Sequence, residues 1–430
     1  ILVLSLETWR DDTNGGNVLS NIFSEFNAEF AQVYCSSGIP QNKLCKKYFQ
    51  MTDGMAIQNI LHHTPMGNKF YLSESVKNDE LSGDVKISKL KKIASCETMR
   101  VARQMVWGLS NYKNEQLDRF VLDFNPDIIF APCYGVTYML SLTRHIAKII
   151  KKPIISYISD DSYSFRQVRF SPVFWLNRLV IRSAIKKTWG LYQLIYTMTE
   201  EQKNYMERLG KPVKILCKSG EFKALKIEKS IHNPIRFIYA GGIYLNRWKT
   251  LMLLVSCMRK INSSEIKCVL DIYTGNALNK RALAILNDGV TSRVHGTIPY
   301  DQLMEEYHNS DVALHVEGLD IKNRLLVRMS FSTKILDCLD SSCAVMAICD
   351  KKQGGFYYLK QEDAAICVSN EDEILKALEE ICSNPEILLE YRNKAVECGK
   401  RNHYKEKISN GLKEDFKAVL DNENRVDKLL

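Results

Sequence analysis

Ile235-Arg-Phe-Ile-Tyr-Ala-Gly-Gly242 is the stretch that decides how this chain is read. Apolar and aromatic side chains run without helical spacing and stop at two glycines, the pattern of a buried strand that ends in a tight turn. An apolar-periodic helix follows, with Arg247 and Lys249 in its opening turn. Further along, Phe331-Ser-Thr-Lys-Ile-Leu-Asp337 gathers a hydroxyl, an ammonium and a carboxylate (Thr333, Lys334 and Asp337) at the start of another helix. Open α/β sheets bind ligands at the carboxyl ends of their strands, where helix N-termini favour anions. Glycines, cations and a carboxylate at such ends predict a site for a nucleoside diphosphate.

Working outward from this strand, the second half alternates regularly. Strands are expected at 235–240, 266–273, 291–295, 311–316 and 344–349. Helices are expected at 248–261, 277–287, 300–308 and 332–340, and 371–420 reads as mostly helical. The first half alternates too. It begins with a strand at 1–6, a polar turn at 7–17 containing Gly15 and Gly16, a helix at 18–30 and a strand at 31–35. Residues 36–87 read as an irregular lid or insertion. A helix at 88–109 and one ending at Phe124 come next, then a strand at 126–131, a helix at 136–150 and strands at 153–158 and 194–198. A helix over 199–209 follows, capped by Thr199. Such alternation predicts parallel sheets with right-handed crossovers.

At 430 residues the chain is too long for one ordinary core. The expected class is α/β, with two Rossmann-like doubly wound parallel-sheet domains facing a central cleft. The first covers 1–212 and the second 213–402, with a linker over 213–233. A last helix, about 403–430, is expected to pack back on the first domain.

Composition narrows the field. The residues are 45% hydrophobic and 25% charged, as in ordinary globular proteins. No apolar run reaches the roughly 18–20 residues that cross a bilayer. The net charge is +9, but lysine and arginine are spread along the chain with no arginine-rich tract, which argues against a nucleic-acid partner. The 13 cysteines are odd in number and form no C-x-x-C pair. Cys133, Cys268, Cys349 and Cys367 sit in apolar runs, so a reducing, cytoplasmic compartment is expected. The 8 histidines show no ligand spacing, and no metal site is assigned. Ile1 already lies in an apolar strand, so a native start upstream, with or without a signal peptide, is an open expectation.

Val294-His-Gly-Thr-Ile298, the segment Tyr300–Asp311, and Ser332-Thr-Lys-Ile-Leu-Asp337 with Ala344-Val345 resemble, in order and spacing, one known family. It is the large retaining group of GT-B glycosyltransferases often called family 4, or group 1. The first half resembles it more weakly, through Gly15-Gly16 after the first strand and Pro126-Asp-Ile-Ile129. The resemblance implies a GT-B fold and transfer of a sugar from a UDP- or GDP-linked donor to a carbohydrate or lipid-linked acceptor. It also implies retention of configuration and no cofactor or essential metal. A role in surface polysaccharide biosynthesis suits such a chain.

Carried onto this sequence, the resemblance assigns donor binding to Gly15, Gly16, Gly241, Gly242, Arg247, Lys249, His295, Gly296, Thr333, Lys334 and Asp337. Arg247 and Lys249 would hold the diphosphate, with the register between them open, and Asp337 would accept from the ribose hydroxyls. The family usually has Glu at that last position. Its first acid, near the donor sugar, falls on Met329, so the pattern is broken there. Glu317 and Asp320, from the long loop Glu317–Arg328 just before it, are the candidates for that carboxylate. Ser159 stands where a histidine is usual, leaving Asp160 as the catalytic candidate of the first domain. Two rival readings share the fold: a sugar-nucleotide 2-epimerase, and a degenerate transferase acting as a binding or scaffold subunit. Finally, Phe165–Trp189 mixes aromatics with cations. It reads either as a peripheral contact with an anionic membrane, at its cytoplasmic face, or as a helix packing one face inward.

Overall fold

The computed structural model describes residues 1–72, 97–222 and 230–427. The first domain runs, in chain order, through β1 (Leu2–Ser5), α1 (Asn14–Phe23), β2 (Ala31–Tyr34), β3 (Lys47–Gln50), α2 (Asp53–His62) and β4 (Asn68–Tyr71). It continues with α3 (Glu97–Leu109), α4 (Glu115–Phe124), β5 (Ile129–Phe130), α5 (Thr137–Ile150), β6 (Ile154–Ile158), α6 (Pro172–Trp189), β7 (Tyr192–Thr197), α7 (Glu200–Glu207) and β8 (Val213–Ile215). Its strands form an eight-stranded sheet of order β4-β3-β2-β1-β5-β6-β7-β8, parallel except for β4.

The second domain comprises β9 (Ile235–Ala240), α8 (Arg247–Ile261), β10 (Cys268–Tyr273), α9 (Lys280–Leu286), β11 (Ser292–His295), α10 (Tyr300–His308), β12 (Val312–Val316) and α11 (Ile321–Leu326). Then come α12 (Lys334–Asp340), β13 (Ala344–Ile348), α13 (Gly354–Gln361), β14 (Ile366–Val368), α14 (Glu371–Ser383), α15 (Ile387–His403) and α16 (Lys405–Asp427). Its six-stranded sheet has the order β11-β10-β9-β12-β13-β14, and every pairing in it is parallel. The expected pair of doubly wound domains is the architecture observed.

Parallel strands covered on both faces read as continuous apolar runs, and β12 and β13 are buried at every position. Their side chains alternate between two cores. Phe237, Leu314 and Met346 pack against Leu251 and Leu254 of α8 and Leu378 of α14. Ile238, Ala313 and Val345 face Ile335 and Leu339 of α12 and Ala395 of α15. The helix α16 leaves the second domain and packs on the first. Phe416 meets Phe23 and Phe26 edge-on at 6.1 and 5.1 Å, and Tyr196 donates its hydroxyl to Asp415 at 2.7 Å.

Strand order reverses between β1 and β5 in one sheet and between β9 and β12 in the other. Such switch points open crevices at the carboxyl ends of the strands. Here the carboxyl ends of the two sheets meet. Thr199, which follows β7 and caps α7, donates its hydroxyl to the Met329 carbonyl at 3.0 Å. Ser330 donates to Asp160, beyond β6, at 3.1 Å, and Arg328 donates to Glu201 at 2.9 Å.

Several expectations need correction. Residues 36–72 are not an irregular insertion: β3 and β4 extend the sheet and α2 lies between them. Lys47-Tyr-Phe-Gln50 is too short to show a period, and its strand conformation comes from pairing with β2. Gly15 and Gly16 are not in a turn but in the first turn of α1, where Thr13 caps by accepting from Gly16 N at 3.3 Å. A Cβ on Gly16 would lie 2.0 Å from the Arg10 carbonyl oxygen, so this glycine allows close packing of the helix start. The boundary at 213 falls one strand early, because β8 pairs with β7. The short elements α11, α13 and β14 were not anticipated. The remainder of the expected lid (73–87), the start of the helix from 88, linker residues 223–229 and the end of the last helix at 428–430 lie outside the described residues. Among the described residues, no helix is long and apolar enough to cross a membrane.

Candidate functional site

The second sheet's switch point is built by the ends of β9 and β12. Beyond β9, Gly241 adopts φ +139°, a conformation that L side chains rarely take. A Cβ there would sit 2.2 Å from Lys334 Nζ, so the side chain of α12 fills the space a larger residue would need. The Gly242 carbonyl accepts from the Tyr239 hydroxyl at 2.6 Å and from Arg247 Nη1 at 3.4 Å.

Arg247 opens α8 and turns inward. Its guanidinium donates to Glu317 twice, Nε to Oε2 at 2.9 Å and Nη2 to Oε1 at 2.7 Å. Both side chains are buried, 8% and 3% exposed. Glu317 follows β12, and its carbonyl takes the Thr250 hydroxyl at 2.8 Å, so strand and helix hold this carboxylate from both sides. Burial alone disfavours the Arg247 charge. The paired carboxylate more than restores it, and the guanidinium stays protonated more firmly than usual.

Lys334 is different. Its ammonium lies 5.4 Å from the Tyr239 ring centroid, and among the described residues no carboxylate comes within ion-pair distance. Burial, and then repulsion by Arg247, push it down to about 8. A buried cation without a paired carboxylate is a candidate partner for an anion. Thr333, just ahead, makes no cap bond with its hydroxyl. Asp337, one turn on, is pushed up by burial against the pull of Lys218, whose Nζ stands 3.6 Å away. Behind the cluster, buried His315 is pushed down to about 4 by burial and is therefore neutral at pH 7; its Nε2 has no hydrogen-bond partner among the described residues.

The other predicted residues divide. Asp320 caps α11, accepting from Asn323 N at 3.2 Å and from Asn323 Nδ2 at 2.7 Å. It also accepts from Asn246 Nδ2 at 2.8 Å, steadying Asn246 at φ +62° immediately before Arg247. All its visible bonds position the loop. Lys249 is exposed, with Nζ 5.4 Å from the Trp248 ring, on the opposite side of the helix from Arg247. His295 ends β11, two strands from β9; its Nε2 lies 2.7 Å from Asp271 and its ring stacks on Tyr273 at 4.6 Å. Beside it, nothing lies within 4 Å of a Cβ placed on Gly296. Gly15 is in the first domain, where a Cβ would meet the Glu7 carboxylate at 2.8 Å. Asp160 is exposed at the edge of the first domain and reaches the second through Ser330, while the neighbouring Met329 side chain is 2% exposed.

Gly241, Gly242, Arg247, Glu317 and Lys334 thus form one cluster. Thr333 and Asp337 stand on the same helix as Lys334, and Asp320 joins through Asn246. The sequence reading passed over Asn246, Lys218, His315 and Asn276, whose Oδ1 accepts from Ile243 N at 2.9 Å. Only Asn246 carried a local signal, as a residue suited to a left-handed turn before a helix. Among the described residues, no group of three or more His, Cys, Asp or Glu is placed to hold a metal.

No family model and no curated protein matches this sequence. Solved structures do match. The sucrose-phosphate synthase of Thermosynechococcus elongatus superposes with a TM-score of 0.62 at 11% identity, over 98% of this chain and 99% of its own. A trehalose-6-phosphate structure from E. coli, bound with UDP-2-fluoro glucose, gives 0.62 at 11% identity over 97% and 98%. Anabaena HepE in complex with UDP gives 0.61 at 12% identity over 97% and 99%. Two doubly wound domains with facing carboxyl ends, matched over nearly the whole length of these enzymes, define the fold as GT-B.

Proposed function

We propose that this chain is a glycosyltransferase that holds a nucleotide sugar on its second domain and passes the sugar to a carbohydrate or lipid-linked acceptor on the first. The observation that carries this reading is the Lys334 ammonium, buried without a carboxylate, beside Gly241 and the bidentate Arg247–Glu317 pair. A diphosphate laid along Gly241-Gly242 supplies the missing counter-charge. Lys334 and Arg247 then stabilise the negative charge that grows on the departing nucleoside diphosphate. Glu317 orients Arg247, and Asp337 accepts from the ribose. Asp160, bonded to Ser330, stands on the acceptor side. Protein cations in this role favour a reaction without an essential metal, and retention follows the family resemblance. The UDP and UDP-2-fluoro glucose held by two of the structural neighbours support a uridine donor.

The deciding experiment incubates the protein with UDP-, GDP- and dTDP-linked sugars and a panel of acceptors. Product formation is followed by mass spectrometry, and anomeric configuration by NMR. Transfer from one donor is expected; tight nucleotide binding with no transfer or hydrolysis would instead mark a binding subunit, the rival that the off-pattern Met329 and Ser159 keep open.

A role at the cytoplasmic face of a membrane, in surface polysaccharide assembly, belongs to the same proposal. On α6, Leu176, Leu179 and Val180 are exposed, and Lys186 and Lys187 extend the same outer face. Two further cations of this helix do not face outward. Arg178 is buried, and Arg182 lies 4.1 Å from the ring centroids of both Tyr163 and Phe165. Co-sedimentation with anionic liposomes is therefore expected to fall with salt and to drop severalfold in the Lys186→Glu/Lys187→Glu variant. Equal sedimentation of variant and parent would remove the membrane from the proposal.

A further inference from the structure

In the first domain a cavity of about 260 Å³ lies between α3, α6 and the start of α5. Three arginines line it. Arg100 is 56% exposed and bonds Glu97, on the same wall, at 3.1 Å. Arg103 donates to Asp53 at 2.8 Å and lies 5.7 Å from the Tyr138 ring centroid. Arg178 is 7% exposed. Its Nη1 donates to the Asp161 backbone carbonyl at 3.1 Å and its guanidinium stands over the Phe174 ring at 5.3 Å.

No carboxylate among the described residues forms an ion pair with Arg178. The nearest acid in sequence, Asp161, spends its carboxylate on the backbone N–H groups of Tyr163 and Ser164, at 3.1 and 2.7 Å, and on the Ser164 hydroxyl. Burying a charge is costly unless an opposite charge or several hydrogen bonds compensate it. The cavity at Arg178 is large enough for a phosphate and part of a sugar, given roughly 30 Å³ for a water. Ser162 also lines it, and Gly135 and Val136 bring the start of α5 to its wall. The N-cap residue of that helix, Val136, offers no side-chain cap, and the Thr137 N–H donates to Gln104 Oε1, also on the cavity wall, at 2.9 Å.

The cavity also borders the segment after β6 that reaches the second domain. Ser162 is two residues beyond Asp160, which reaches the second domain through Ser330. We infer that this cavity binds an oxyanion carried by the acceptor, a phosphate monoester or a carboxylate, so that the transferase acts on an acidic sugar. This rests on the glycosyl-transfer reading for the word acceptor; the anion site itself does not. A guanidinium fork suits either oxyanion, because both accept two parallel N–H bonds.

The test uses the full chain saturated with UDP, so that the diphosphate cradle is filled, and titrates it calorimetrically with inorganic phosphate, glucose 6-phosphate, glucuronate and glucose. If UDP does not bind, which overturns the glycosyltransferase reading alone, the same titration is run on Lys334→Ala. Saturable binding of at least one anion, with none of glucose, is expected. Preference for the phosphates over glucuronate identifies a phosphomonoester, and the reverse identifies a carboxylate. Arg100→Ala and Arg178→Lys are each expected to weaken that binding at least tenfold while leaving UDP affinity unchanged. Arg100 is exposed enough for its variant to fold, and it decides alone if Arg178→Lys does not. Absence of anion binding by the parent, or anion binding that Arg100→Ala leaves intact, overturns the inference.

Discussion

Replacing Lys334 by Ala is expected to lower kcat/KM for the nucleotide sugar by at least about 100-fold, the scale on which removing a preorganised charge-stabilising donor acts. The same change is not expected to harm folding. The ammonium is buried with no carboxylate to pair with, and its folded-state value of about 8 lies below the ordinary 10.5. Between those two values the unfolded chain binds more protons than the folded one, so this group's contribution to stability rises with pH across that window and is lost as pH falls through it. At neutral pH the charge is therefore a burden on the fold, and Lys334→Met should melt no lower than the parent. Binding should show the opposite trend. If the protonated form alone holds the diphosphate, UDP affinity falls above pH 8, becoming roughly tenfold weaker by pH 9, whereas the Lys334→Ala variant stays flat. Calorimetric titration of UDP from pH 7 to 9.5 reads this directly, and parallel curves for parent and variant would take Lys334 out of the site.

The second large effect concerns Glu317. Its removal leaves Arg247 charged, buried and unpaired, which costs about 3–5 kcal/mol in comparable buried pairs. Glu317→Ala should therefore unfold at clearly lower denaturant, with activity lost even where the protein is still folded, because Arg247 is no longer aimed. Arg247→Lys should not rescue function, since one ammonium cannot replace the two parallel N–H bonds seen here. Exchanging both partners for Met should restore most of the stability and none of the turnover. That split separates the pair's part in turnover from its part in the fold. A Glu317→Ala variant as stable as the parent would show that the pair is not buried in solution.

Much of the second domain was legible because its strands are short continuous apolar runs between glycines and helical periods. The runs at 235–240, 312–316 and 344–348 stand in the structure within a residue or so of where the sequence placed them. The first domain was less legible at β3 and β4, whose pairing partners lie elsewhere in the chain and leave little local trace. The site shows the same division. Glycines and cations at strand ends were visible, but which cation turns inward was not. Positions 247 and 249 point to opposite sides of one helix, and only the placement of Glu317 decides between them. Asp320 looked like a free acid, yet its partners Asn246 and Asn323 turn it into a structural cap. Arg178 looked like part of a basic outer face, but it faces the interior.

The return of α16 to the first domain has a consequence for how the protein is made. Phe416 completes the aromatic group formed by Phe23, Phe26 and Phe130. A ribosome delivers those three rings early and the fourth only after the entire second domain has emerged. Chains fold domain by domain as they are synthesised. Here, however, the domain made first waits longest for its last piece, and until α16 emerges its aromatic cluster stays open to water and to other chains.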